Sequence, residues 1–75
     1  MAVVKTGNKT HDDICTAAEG VRQVAVATAA NQAAARQAEI TFYQTVAKSC
    51  RANLGYSGVE QANSALRELG GTSAF

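Results

Sequence analysis

Val24-Ala25-Val26-Ala27-Thr28-Ala29-Ala30-Asn31-Gln32-Ala33-Ala34-Ala35-Arg36-Gln37-Ala38 is the stretch on which the fold turns. It holds eight alanines, with Asn31 and Gln32 at its centre and neither Gly nor Pro. Alanine is the best helix former, and Arg and Gln follow closely. With no breaker present, the stretch predicts one continuous helix that extends both ways, over residues 10–54. The alternative is a break at Asn31-Gln32, with two helices meeting there. A helix of about 44 residues would be about 65 Å long and would want partners along its length.

Toward the N-terminus, Thr10 is the expected cap, with Asp12 and Asp13 in the first turn facing the positive end of the helix dipole. Thr10-His11-Asp12-Asp13 resembles a shortened capping box. Residues 1–9 read as an exposed, flexible arm in which Val3-Val4 is a candidate docking point. Toward the C-terminus, Gly55 stands where a capping glycine belongs, with Arg51 in the last turn. Ser57-Gly58-Val59-Glu60 reads as a full capping box and predicts a second helix over 57–69. Its apolar stripe is Val59, Ala62, Ala65 or Leu66, and Leu69. Gly70-Gly71 ends it, leaving a tail at 70–75. The short connection predicts that the second helix folds back on the first. The expected class is all-α: one small helical domain over 1–75, a long alanine-rich helix and a short second helix folded back as a hairpin.

The composition limits what such a chain does. Lys and Arg total seven against six acidic residues, for a net charge of +1, so there is no electrostatic footprint for nucleic acid. No stretch is long and apolar enough to span a membrane, and Met1-Ala2-Val3-Val4-Lys5 has no leader-like apolar run. A cytoplasmic location is the expectation. Alanine supplies 16 of the 75 residues, while Leu, Ile, Val and Phe together supply 14. A monomer built this way buries a limited core, and chains near this length often need staples or oligomerisation.

The residues that carry chemistry are few. His11 is the only histidine and is expected to face solvent in the first turn, where it is a candidate pH-sensitive group. With Cys15 one turn on, it supplies half of a zinc site, but two ligands are missing; no cofactor or metal is expected. Cys15 and Cys50 would stand about 52 Å apart on one straight helix. An intrachain disulfide between them needs a hairpin, whose midpoint falls between Gln32 and Ala33, or an antiparallel pair of chains. Two reduced, half-buried thiols are the plainer reading. No nucleophile elbow or phosphate loop occurs, so the chain is not expected to be an enzyme, and no small-molecule substrate is evident. A redox or enzyme role through Cys15 and Cys50 would require a reactive thiol.

The apolar residues suggest assembly. Ile14, Ala18, Val21 and Ala25 form one stripe; Ile40, Tyr43, Ala47, Cys50 and Leu54 form another, with Phe42 and Val46 beside it. Phe42 and Tyr43 are expected to pack on Val59, Leu66 or Leu69. Ile40-Thr41-Phe42-Tyr43-Gln44-Thr45-Val46-Ala47-Lys48-Ser49 resembles a segment of the R-body, or killing-trait, family of structural proteins. That resemblance covers residues 40–49. It implies an assembly helix and a mechanical function, because members of the family build coiled proteinaceous ribbons. The expected function is a self-assembling helical subunit of a homo-oligomer, filament or ribbon. Its expected interface residues are Ile14, Val21, Ile40, Phe42, Tyr43, Val46 and Leu54. The other reading is a small adaptor or regulator that binds a larger protein through the long helix.

Overall fold

The computed structural model describes residues 6–71. Among them the chain is all-α: helix α1 spans Lys9–Ala27, α2 spans Gln32–Asn53 and α3 spans Val59–Glu68. The continuous helix expected over 10–54 does not form. The chain turns at residues 28–31, and the described part measures 36 × 22 × 16 Å.

Asn31 makes the turn without glycine or proline. Its backbone is extended, with φ −158° and ψ 175°, and its side chain caps α2 by accepting from the Ala34 amide at 2.9 Å. On the other side, Thr28 closes α1: its amide and its hydroxyl both donate to the Val24 carbonyl, at 3.0 and 2.8 Å. Asn is tolerated inside a helix but is among the strongest N-caps, so local propensity leaves the break undecided. Burial decides it. A straight helix would leave both apolar stripes in water, whereas the hairpin packs Cys15 of α1 against Phe42, Val46, Ala47 and Cys50 of α2.

The two helices run antiparallel in a register fixed by polar contacts along their length. Asn8 Nδ2 donates to the Asn53 carbonyl at 3.3 Å, His11 meets Ser49, and Arg22 pairs with Glu39 at 2.8 Å. Helix α3 packs on α2 and adds Val59 and Ala62 to the same core. Leu66 of α3 is fully buried. Gly71 lies against Ile40, so close that a Cβ there would stand 3.0 Å from Ile40 Cγ2.

Three local expectations are corrected. Helix α1 is capped by Asn8, not Thr10: Asn8 Oδ1 accepts from the His11 amide at 2.9 Å. Residues 6–9 of the expected arm are therefore built into the helix start, and Asp12 gathers the Thr6 and Gly7 amides at 2.8 and 3.0 Å. Those bonds, the Thr6 amide first, hold the Asp12 carboxyl below its usual range. Asp13 pairs with Lys9 rather than closing a capping box. The docking point at Val3-Val4 and the tail residues 72–75 lie outside the described residues.

The third correction is at α3. Its N-cap is Gly58, at φ +86°, with no side-chain cap. Ser57 thus stands one residue too early for the S-x-x-E spacing to span the cap, and Glu60 pairs with Arg67 instead. Tyr56, just before it, sits at φ +74°, a region costly for a residue with a large side chain. Its hydroxyl accepts from Arg51 Nε at 3.1 Å. At the far end α3 stops as the double glycine suggested. Gly70, at φ +76°, donates to the Arg67 carbonyl and Gly71 to the Leu66 carbonyl, the paired bonds of a Schellman motif.

Candidate helix-docking groove

Along the half of the hairpin nearer its turn, α1 and α2 leave an open apolar groove of about 600 Å³ between them. Ile14, Ala17, Ala18, Val21 and Ala25 form one wall, and Ala34, Ala38, Thr41, Phe42 and Thr45 the other. No α3 residue lines it. The groove exists because alanine leaves helix walls low: between two helices at packing distance, small side chains fill less than the space available. Large apolar side chains stand exposed beside it. Val21 is 69% exposed and Val24 65%, which is unusual for adjacent turns of one helix face.

One charged residue lines the groove. Arg22 reaches across from α1, its guanidinium 5.1 Å from the centre of the Phe42 ring. Glu19 of its own helix and Glu39 of α2 both pair with it, so one guanidinium is shared by two carboxylates. Arg22 Nε is buried and has no hydrogen-bond partner among the described residues.

The expected interface residues separate into groups. Ile14 and Val21 are exposed on the groove wall, and Phe42 lines the groove while only 5% exposed. Val46 is wholly internal and is corrected from a contact residue to a core residue. Ile40, Tyr43 and Leu54 are half-buried; Tyr43 and Leu54 pack on the core, and Tyr43 meets Phe42 edge to face at 5.1 Å. Sequence reading missed Arg22, Thr41 and Thr45. Arg22 follows Ala18 at helical spacing within the apolar stripe, and a charge in that place is the signal that was there to find.

A second cluster lies at the opposite end, and here His11 is corrected. It is fully buried rather than solvent-facing, because it shares one face of α1 with Cys15 and the hairpin packs that face on α2. His11 Nδ1 is 2.8 Å from Ser49 Oγ, and Nε2 is 3.4 Å from Cys15 Sγ. Asn53 Nδ2 donates to the same Ser49 oxygen at 3.1 Å. The serine hydroxyl can donate to Nδ1 or accept from it, according to the imidazole tautomer.

A thiol beside an imidazole has the outline of a nucleophile and its base, but the environment opposes that use. Burial, then the neighbouring Cys50 and Asp12, push the Cys15 thiol up to about 11; burial also raises Cys50. Burial disfavours the thiolate form of both, and neither side chain reaches solvent. Both are free thiols. The hairpin brings them into one core, but its register sets Cys15 level with residues 45–46, about one helical turn from Cys50. Both cysteines should accordingly react with an aromatic disulfide reagent only as fast as the fold opens, many times slower than in denaturant. Rapid modification of either in the folded protein would contradict this placement.

Among the described residues no group of three or more His, Cys, Asp or Glu side chains is placed to hold a metal ion. No described helix is long and apolar enough to cross a membrane. No family model, curated protein or solved structure matches the chain.

Proposed function

We propose that the protein is a self-assembling helical subunit, and that a second copy of the chain occupies the groove between α1 and α2. The observation that carries this reading is the uncovered apolar groove flanked by Val21 and Val24. Leaving such side chains in water forgoes roughly 25 cal/mol for each Å² that a partner would bury. The only charged lining residue, Arg22, is already paired with Glu19 and Glu39 of its own chain, so the groove offers a partner no unpaired cation. The R-body resemblance points the same way, because Thr41, Phe42 and Thr45 of residues 40–49 line the groove.

The test is Ala38→Glu. Ala38 lines the groove and is only partly exposed, and a carboxylate there would have to be desolvated by any partner helix. Light scattering after size exclusion should give the wild type above monomer mass and the variant at monomer mass, with unchanged helix content. A wild type that is monomeric at every concentration would overturn the reading and leave a larger protein as the occupant. An unchanged assembly in the variant would move the interface elsewhere.

A further inference from the structure

The connector between α2 and α3 is at odds with its own sequence. Gly55, Tyr56 and Gly58 stand at φ +55°, +74° and +86°, and Tyr56 among them carries a side chain that makes this backbone costly. The turn also leaves a capping box unused. Ser57 and Glu60 have its spacing, but the cap is Gly58 and no side chain serves it. What holds the turn closed is slight. The Ser57 amide donates to the Leu54 carbonyl at 3.0 Å and the Val59 amide to the Tyr56 carbonyl at 3.2 Å. Arg51 lies over the Tyr56 ring and donates to its hydroxyl. Gly55, Tyr56 and Ser57 are exposed, so water replaces most of these partners when the turn opens.

Helix α3 itself is a complete unit. Its buried residues are Val59, Ala62, Asn63 and Leu66, and it packs chiefly on α2. We propose that α3 is an exchangeable element: two copies of the chain pair by each laying α3 on the other's α2. The connector straightens, its five residues spanning up to about 17 Å. Tyr56 leaves the left-handed region, and Ser57 and Glu60 close their box. Glu60 gives up Arg67, an exposed pair of little weight. The seat of α3 is the same before and after, so the pairing needs no new interface, and a short strained hinge favours exchange of this kind. Exchange of α3 does not use the groove and adds a second route to the self-assembly proposed above. Because α3 must leave α2 to be exchanged, the pair is reached by refolding at high concentration.

Ile40→Cys with Gly71→Cys, in the full chain, reads the exchange directly. A Cβ at position 71 would stand 3.0 Å from Ile40 Cγ2, within the reach of a disulfide, and both native thiols are buried. The variant is unfolded in urea with reductant, refolded at micromolar or millimolar concentration, oxidised, and run on a denaturing gel. Exchange puts the two new thiols in different chains and gives a covalent dimer. A monomer, or a pair joined only through the groove, links them within one chain and runs as monomer. A covalent dimer after concentrated refolding, and none after dilute refolding, is the expected result. Links within one chain at both concentrations would overturn the exchange and leave the groove reading standing. Two further substitutions in the same variant test the cause. At Gly55 a Cβ meets nothing within 4 Å but φ is +55°, so Gly55→Val strains the closed turn alone and should raise the covalent dimer about tenfold. Ser57→Ala removes a cap that only the open connector uses and should lower it about tenfold. A dimer that either substitution leaves unchanged would overturn opening of the connector as the cause.

Discussion

Leu66→Ala is expected to cost about 2–5 kcal/mol of stability, the range for truncating a buried leucine. Leu66 is fully buried and is the largest side chain that α3 contributes to the interior. Val59 and Ala62 of the same helix belong to the core cluster, and α3 packs on α2. The Leu66 carbonyl also receives the Gly71 amide at 2.9 Å, so the stop of the helix depends on the same position. Domains carry roughly 0.05–0.15 kcal/mol per residue, and one this small has little to lose. Urea unfolding followed by circular dichroism, at fixed protein concentration because association contributes to stability, should show a large fall in the midpoint. A loss below about 1 kcal/mol, the ordinary size for a surface position, would mean that α3 does not pack as described.

His11→Ala should cost about 3 kcal/mol, a cavity together with a disturbed buried hydroxyl. His11 is fully buried between α1 and α2, and its ring joins Ser49 and Asn53 of α2 to Cys15 of α1. Thr10→Ala is the control. Thr10 is exposed and is not the cap, so its loss should stay within about 0.5 kcal/mol. The same unfolding measurement ranks the two. A Thr10 effect equal to or above that of His11 would put the helix start back at Thr10 and His11 in solvent.

That pair of neighbours shows where the sequence was legible and where it was not. Helicity followed from an Ala-, Gln- and Arg-rich chain without proline, and the ends at Gly55 and Gly70-Gly71 followed from where glycine stands. The face of α1 did not follow. His11 shares a face with Cys15 wherever the helix starts, and only the packing of that face on α2 takes it out of solvent. At Ser57 a well-formed capping box lost to a turn with Gly55, Tyr56 and Gly58 all at positive φ. The break at residues 28–31 was present only as an alternative, because Asn31 suits a helix interior and a helix start alike. Packing of residues far apart in the chain settled it, and packing is not written in any window of sequence. The groove inherits that limit. Ile14 and Val21 were visible as a stripe, but its far wall and the Arg22 clamp exist only once the hairpin has turned.

Amide hydrogen exchange on dilute and concentrated protein tests the central claim most directly. Self-assembly through the groove predicts that protection rises with concentration in residues 14–25 and 34–45. Residues 59–68, on the helix that does not line the groove, should exchange at a nearly constant rate. Protection that does not change with concentration in 14–25 and 34–45, or that rises instead along α3, would contradict it.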